Sequence, residues 1–186
     1  MAVQIKGILF DIGGVLTLNH MYAKFWADAP TSMPLRIQFG SDEITLEEFI
    51  REAAILKGLS REEFFRQYTE IYASEMIIEP VFQLYTQLKE DKYILSDTNP
   101  YHQHHLEKNF SKIFTEAKKC FLRQRKEKEG TFENIVNVIG LSPSELLFID
   151  DKIEHIMRAR AIGMNAIHYQ NYPDLVIELK KFGVLI

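Results

Sequence analysis

The stretch "ILFDIGGVLT", Ile8 to Thr17, decides the fold. An apolar run ends on the carboxylate Asp11, and the chain then turns through Gly13 and Gly14. A short, continuous apolar run bounded by turn residues is typical of a parallel strand that is buried on both faces. We therefore predict a strand that delivers Asp11 to the edge of a sheet.

Four other apolar runs show the same pattern. The segment "LLFIDDKIEH" ends its run on two adjacent acids, Asp150 and Asp151, and the remaining runs are "KYIL" before Ser96, "KCFL" around Cys120 and "NAIHY" around Ile167. Between them, "EPVFQLYTQLKE", "TFENIVNVIG" and "IEHIMRARAIG" have the apolar spacing of amphipathic helices. Strands that alternate with helices predict right-handed crossovers, and hence an α/β fold with a doubly wound parallel sheet.

Residues 18–78 interrupt this alternation, since they contain no convincing strand. Capping boxes at Thr45 and Ser60 start two amphipathic helices, and "MYAKFWAD" predicts a third. We predict a core of residues 1–17 and 79–186 and a small helical cap of residues 18–78. Ligands of open α/β folds bind beyond the carboxyl ends of the strands, so the cap either roofs a site there or only adds core. Four aromatic side chains of the cap are expected to form core rather than a substrate platform: Trp26, Phe25, Phe64 and Phe65.

Composition excludes several classes of function. The chain has 186 residues, 46% of them hydrophobic, and a net charge of −4, which argues against nucleic acid as a partner. No apolar stretch approaches the roughly 20 residues needed to span a bilayer, so no membrane partner is expected. A single cysteine, Cys120, permits no internal disulfide, and the N-terminus lacks a signal-peptide pattern. We expect a cytoplasmic protein.

Polar residues follow the predicted strands in an order that suggests chemistry. They are Asp11, Ser96, Asp97, Asp150 and Asp151, with Lys126 preceding the last two in the chain. Taken singly, each is more commonly a turn or helix cap. Together, carboxylates from two strand ends suit a Mg²⁺ site, and a hydroxyl with glycine-loop N–H groups suits a phosphate. A carboxylate that is free to attack would form an acyl-phosphate.

Four segments resemble the four motifs of the haloacid dehalogenase superfamily, in the same order and across nearly the whole chain. They are "ILFDIGGVLT", "YILSDTN", "RQRKEKEGTF" and "LLFIDDKIEHIMRARAIGMNAIHY". The chain is similar to the phosphatase-rich branch of that superfamily, which has a Rossmann-like core and a helical cap after the first strand. The resemblance implies a Mg²⁺-dependent hydrolase that acts on a small phosphorylated metabolite.

The resemblance also implies roles for individual residues. Asp11 is the expected nucleophile, and the catalytic set is Asp11, Ser96 and Lys126. The expected phosphate-binding residues are Gly13, Gly14, Ser96, Asp97 and Lys126. The expected metal ligands are Asp11, Asp151, the backbone carbonyl of Gly13, and Asp150 beside them.

Gly13 is the main departure from the superfamily pattern. Most of its phosphatases carry a second Asp at this position, which acts as the general acid and base. Such help is typically worth about 10²–10⁴-fold, so we expect slow turnover unless the leaving group is good or another group substitutes. The carbonyl of Gly13 can still bind a metal. A branch of helical-capped sugar-phosphate phosphatases, including glucose-1-phosphate phosphatases, also resembles this chain and carries Gly here, which makes sugar phosphates candidate substrates.

The third and fourth motifs differ in smaller ways. Lys126 falls on the lysine of the third motif, but the usual Pro-Asp-Pro turn is missing, so Lys128 and Arg125 are neighbouring alternatives. His155 stands where relatives often carry Asn; it either hydrogen-bonds or titrates near neutrality, or is a polar residue facing a loop. "HQHH", residues 102–105, lacks the separated ligand pairs of a structural zinc site and indicates a partly exposed helix face.

Three functions compete. The first is the Mg²⁺-dependent phosphatase with an aspartyl-phosphate on Asp11. The second is a catalytically weak or inactive relative that binds a phosphorylated ligand or protein, which Gly13 favours. The third is a 2-haloacid dehalogenase, which also lacks the second acid but needs no metal and leaves the Asp150–Asp151 pair unexplained.

Overall fold

A five-stranded parallel sheet forms the centre of the protein. The computed structural model describes residues 4–185. Its strands are β1 (Gly7–Phe10), β2 (Thr17–Leu18), β3 (Met76–Ile77), β4 (Asp91–Ser96), β5 (Lys119–Leu122), β6 (Leu146–Asp150) and β7 (Asn165–His168). The large sheet has the order β5-β4-β1-β6-β7, and all its neighbours are parallel. All five strands predicted from the apolar runs are confirmed.

Helices cover both faces of this sheet. The α-helices of residues 4–185 are, in chain order, α1 (His20–Trp26), α2 (Met33–Gly40), α3 (Leu46–Lys57), α4 (Arg61–Ala73), α5 (Glu79–Gln87), α6 (Pro100–Asn109), α7 (Ser111–Thr115), α8 (Thr131–Ile139), α9 (Ile153–Ala161) and α10 (Tyr172–Lys181). One face packs against α5, α6, α7 and α10, and the other against α8 and α9. The doubly wound α/β fold is confirmed. Within residues 4–185, no helix combines the length and apolarity that crossing a bilayer requires.

The strand order creates a switch point between β1 and β6. The chain moves from β1 outward through β4 and β5, then returns to the other side of β1 as β6. Crevices at such reversals are the usual ligand sites of open α/β sheets. Phe10 pairs in register with Ile149, so Asp11 and Asp150 lie side by side where the two strands end.

Four helices, α1 to α4, form the predicted insertion after the first strand. The capping box at Thr45 is complete, whereas the Ser60 hydroxyl caps α4 without a return bond from Glu63, whose carboxylate binds Arg66 and Gln67 instead. The expectation that residues 18–78 contain no strand is wrong, because β3 pairs antiparallel with β2. Two residues per strand are too few to show a period of two. The division into two domains stays a prediction.

The insertion has an aromatic core of its own. Its buried members are Trp26, Phe39, Phe49, Phe64, Tyr68 and Tyr72. A buried polar contact ties it to β2 and α6: the carboxylate of Glu75 accepts a hydrogen bond from the Thr17 hydroxyl and lies 2.7 Å from Nε2 of His102. Glu75 follows α4 and His102 lies on α6, so this contact links the base of the insertion to the core.

Candidate active site

Asp11 lies in the crevice at the end of β1. Its backbone N–H donates to the carbonyl of Ile149 at 2.9 Å, which extends the strand pairing by one residue. The carboxylate is 6% exposed. Its Oδ1 accepts a hydrogen bond from the Ile12 N–H at 2.7 Å, and its Oδ2 lies 2.8 Å from Nζ of Lys126. These contacts fix the carboxylate in one orientation.

Lys126 bridges the carboxylates of the two strands. Its Nζ lies 2.8 Å from Asp11 Oδ2 and 2.6 Å from Asp150 Oδ2, and the side chain is 1% exposed. The backbone N–H of Lys126 donates to Asp97 Oδ1 at 2.9 Å, which anchors the loop after β5. Of the three basic residues that the sequence leaves open, the structure brings Lys126 to the acids, while Arg125 lines a neighbouring cavity.

Asp150 is fully buried and contacts both a lysine and a histidine. His155 Nδ1 lies 3.0 Å from Asp150 Oδ2, the oxygen that also lies 2.6 Å from the Lys126 ammonium. The other ring nitrogen of His155, Nε2, lies 3.3 Å from the carboxylate of Glu127. His155 is therefore a buried hydrogen-bonding residue. This favours the interpretation that it hydrogen-bonds within the site over the interpretation that it is a polar residue facing a loop. Glu127 is a site residue that the sequence analysis missed, although it adjoins Lys126.

Gly13 and Gly14 have opposite surroundings. Gly14 has a φ of +85°, and a Cβ there would lie 2.4 Å from Oδ2 of Asp151. Only glycine lets the Asp151 carboxylate pack this closely on the loop after β1. A Cβ at Gly13 would meet no heavy atom of residues 4–185 within 4 Å. The place of the second acid is open space.

The buried charges shift one another's pKa values. Burial raises the pKa of Asp11 to about 6; the Lys126 ammonium opposes this shift and the Asp150 charge adds to it. Burial alone would also raise the pKa of Asp150, but the hydrogen bond from His155 and the charge of Lys126 hold it well below its ordinary value. The surrounding carboxylates raise the pKa of Lys126 although burial opposes them. Asp150 and Lys126 thus form a fixed ion pair beside a less acidic Asp11.

The donor set fits a hard divalent cation. Asp11, Asp150 and Asp151 each offer a carboxylate oxygen, and these oxygens lie within 4.8 Å of one another. Oxygen ligands in this number suit Mg²⁺, which is commonly held by one or two carboxylates and completes its shell with water and phosphate. Three ionised carboxylates against the one Lys126 ammonium leave two negative charges, which a divalent ion would balance.

The other predicted phosphate-binding residues lie at the end of β4. Ser96 is the last residue of that strand and is buried. The Asp97 side chain accepts from the Lys126 backbone, so its contact in the structure is with the loop after β5. Asp97, Glu127 and His155 also have ligand atoms within 4.8 Å of one another, forming a second polar group beside the first.

A cavity of about 370 Å³ opens beside this site, between the helical insertion and the sheet. Its core side contains Asp97 and Thr98, which follow Ser96, and Arg125 and Glu127, which flank Lys126. Its other side is aromatic and includes Tyr22, Trp26, Phe49 and Tyr68. The sequence analysis did not identify this cavity. Trp26, Phe25 and Phe64 belong to the aromatic core, as expected, and Trp26 also lines the cavity, whereas the prediction of a core position for Phe65 is wrong because its side chain is exposed.

Two of the three histidines of "HQHH", His102 and His105, lie against Tyr72, and the third is exposed. His102 stacks on Tyr72 at 4.6 Å and contacts Glu75, whereas His104 is exposed. No group of three metal-ligating side chains found within residues 4–185 includes any of these histidines. Cys120 is half-buried in β5, and burial raises the pKa of its thiol to about 11.

Comparison with known sequences gives a short match to a phosphatase. No protein-family model matches the chain. A segment of 50 residues, 27% of the chain, is 32% identical to the sesquiterpene phosphatase astK of Aspergillus oryzae. The matched segment spans about a quarter of that protein's length, 26%.

Solved structures show the same fold over nearly the whole chain. A haloacid dehalogenase family enzyme from Bacteroides thetaiotaomicron, solved with magnesium and inorganic phosphate, has a TM-score of 0.72 at 21% identity, covering 92% of this chain and 98% of that one. A predicted hydrolase of this family type from Porphyromonas gingivalis has a TM-score of 0.72 at 22% identity, covering 96% and 98%. The L-2-haloacid dehalogenase of Xanthobacter autotrophicus scores 0.62 at 18% identity, covering 96% and 83%. The chain therefore has the fold of haloacid dehalogenase family enzymes.

Proposed function

We propose that the protein is a Mg²⁺-dependent phosphatase that acts on a small phosphorylated metabolite. The observation that carries the proposal is the buried cluster in which Lys126 holds the carboxylates of Asp11 and Asp150 while Asp151 lies within ligand distance. One attacking carboxylate, one ammonium and an oxygen-rich cation site are what phosphoryl transfer requires. The Bacteroides enzyme of the same fold binds magnesium and inorganic phosphate, which supports the proposal.

In the proposed reaction, Asp11 attacks phosphorus and forms an aspartyl-phosphate as the ester P–O bond breaks. Lys126 and the Ser96 hydroxyl hold the phosphoryl oxygens and offset their charge. Asp11, Asp150, Asp151 and the Gly13 carbonyl would hold Mg²⁺, which supplies positive charge to the phosphoryl group when bound. Water then hydrolyses the aspartyl-phosphate, which releases phosphate and restores the carboxylate.

The leaving group receives no proton from residue 13. Fast turnover is therefore expected only for esters whose alcohol is acidic, because such an alcohol departs as a stable anion. The glycine at position 13 also favours a second function, in which the protein binds phosphorylated ligands and hydrolyses them slowly or not at all. The fold is shared with an L-2-haloacid dehalogenase, but three clustered carboxylates favour a metal-dependent reaction over that one.

Hydrolysis of 4-nitrophenyl phosphate tests the proposal. We expect turnover with Mg²⁺, loss of turnover with a chelator, and loss in Asp11→Asn. A folded wild-type protein that binds Mg²⁺ and hydrolyses no faster than Asp11→Asn would support the second function instead. Metal-independent chloride release from 2-chloropropionate would support the dehalogenase.

Metal binding can be measured without turnover. Saturation to about 100 times the dissociation constant would stabilise the protein by about 2.7 kcal/mol, or roughly 5–10 °C in melting temperature for a chain of this size. Asp151→Asn removes an exposed ligand without disturbing the buried Lys126 pairs, so it should keep the fold and lose this shift. An unchanged shift in Asp151→Asn would show that the cation binds elsewhere.

A further inference from the structure

Arg36 places a positive charge in the wall of the cavity. It lies on α2 and is half-buried. Its guanidinium carbon lies 5.0 Å from the ring centre of Tyr22 and 5.2 Å from that of Trp26, and its Nη2 donates to the Tyr22 hydroxyl at 2.8 Å. None of the ion pairs found within residues 4–185 includes Arg36.

Two buried donors at this place lack acceptors. Arg36 Nε and Trp26 Nε1 are both shielded from solvent and have no hydrogen-bond partner. Trp26 is only 5% exposed, and buried indole N–H groups usually find an acceptor. Buried arginines are likewise usually paired with an anion. Both donors belong to residues that line the same cavity.

Basic residues line both sides of the cavity. On the core side, Arg123 is already paired with Asp42, and Arg125 and Lys152 share the lining with the acids Asp97 and Glu127. Arg36 lies on the opposite, helical side among aromatic rings, and its Nε has no acceptor. Arg36 is therefore the basic residue of the lining that is best placed to bind a second anion away from these acids.

We propose that the substrate carries a second anionic group, a carboxylate or phosphate, which binds Arg36, and that a flat apolar body joins this group to the phosphoryl group at Asp11. The flat body lies along the aromatic wall. The guanidinium turns on its flexible stem so that the covered Nε meets the anion. This inference rests on the proposed phosphatase function, which places the phosphoryl group of the substrate at Asp11. It disfavours phosphates of uncharged sugars as substrates.

Paired aryl phosphates test this inference by binding. Calorimetric titration of Asp11→Asn with phenyl phosphate and with 4-carboxyphenyl phosphate compares two esters that differ by one carboxylate. We expect the carboxylated ester to bind about 10–100-fold more tightly, the range for a hydrogen bond to a charged group. Benzene-1,4-diyl bisphosphate in a third titration shows whether phosphate serves as well as carboxylate. Trp26 is the chain's one tryptophan, so its fluorescence should change on binding.

Variants at Arg36 identify the group that recognises the anion. Arg36→Met should remove the preference for the carboxylated ester and leave phenyl phosphate within about twofold, whereas Arg36→Lys should keep part of it. Arg51→Met is the matched control, because Arg51 is exposed on α3 and pairs with its neighbour Glu52. Equal binding of the two esters by the Arg36-containing protein would overturn the inference, as would an equal loss for both esters in Arg36→Met.

Turnover by the wild type separates this inference from the proposed function. If the wild type hydrolyses both esters with the same KM, the proposed phosphatase activity stands and the proposed anion site is refuted. If the carboxylated ester binds more tightly but neither ester is hydrolysed, the proposed anion site stands and the proposed phosphatase activity is refuted. If both hold, Arg36→Met should raise KM for the carboxylated ester with little change in kcat.

Discussion

The substitution Gly13→Asp tests whether the missing acid limits the reaction. A Cβ at Gly13 meets no heavy atom of residues 4–185 within 4 Å, and Gly13 is not among the glycines with positive φ. A Cβ can therefore be added there without displacing a neighbour or straining the backbone. The carboxyl group of the aspartate would stand two residues after Asp11, where the leaving alcohol needs a proton.

The expected gain depends on the leaving group. A well-placed general acid contributes about 10²–10⁴-fold, which at 1.36 kcal/mol for each factor of ten lowers the barrier by roughly 2.7–5.4 kcal/mol. An alkyl phosphate such as glycerol 1-phosphate needs that proton, so we expect its kcat to rise by about 100-fold or more in Gly13→Asp. The nitrophenolate of 4-nitrophenyl phosphate leaves unaided, so its kcat should change only a few-fold.

Two further variants at the same position separate proton transfer from shape and charge. Gly13→Asn has the size of the aspartate without its proton, and Gly13→Ala tests only the added Cβ. Both should keep the low rate with glycerol 1-phosphate. Equal gains in Gly13→Asp and Gly13→Asn, or equal gains with both esters, would refute the acid/base reasoning, because neither pattern requires a transferred proton.

Three other substitutions have expected outcomes that follow from local contacts. Gly14→Ala should lower the free energy of unfolding by about 1–2 kcal/mol in urea, because its positive φ disfavours a side chain and its Cβ would strike Asp151; Gly13→Ala is the control and should lose nothing. Lys126→Met should cost about 3–5 kcal/mol, since it removes the ammonium that both buried carboxylates contact, and wild-type stability in urea would contradict this. Burial would raise the pKa of Glu75, but the hydrogen bond and charge of His102 hold it below 4.5. The Glu75 carboxylate therefore stabilises the folded protein fully above pH 4.5, and this stabilisation is lost as the pH falls through the lower pKa of the folded state. The melting temperature of Glu75→Gln should consequently fall less steeply with decreasing pH than that of the wild type. Parallel plots of melting temperature against pH for the two proteins would exclude the Glu75–His102 contact as a source of stability.

The strands and the acids at their ends were predictable because they follow local rules. Apolar runs that stop at a turn residue give buried parallel strands, and parallel strands place their carboxyl ends at one edge. These rules place Asp11 and Asp150 at one edge of the sheet, whereas their contact as neighbours depends on the strand order, in which β1 pairs with β6. The roles of these residues in binding metal and phosphate stay predictions.

The loops and the cavity could not be predicted in the same way. Lys126 lies in an irregular segment after β5, where no periodic pattern tells it from Arg125 or Lys128; its place depends on the hydrogen bond from its own backbone to Asp97. Arg36 belongs to α2, a helix with Pro34 in its first turn that the sequence analysis did not identify. The cavity forms between segments that are distant in the chain, so its lining is visible only in three dimensions.

The cost of the buried charges bears on the choice between the two leading functions. Replacing a buried ion pair by apolar side chains of similar size is often neutral or stabilising, so the Lys126 cluster is poorly explained as a device for stability. Its three carboxylates also leave excess negative charge, which burial makes more costly and which the raised pKa of Asp11 reflects. A bound divalent cation would balance the negative charge of the carboxylates, and a bound phosphoryl group would pair with the Lys126 ammonium. Together they would offset the free-energy cost of the buried ion pair and that of the excess negative charge. The cluster therefore favours the proposed phosphate and metal site over a purely structural role, and in that proposal Gly13 affects only the rate of turnover.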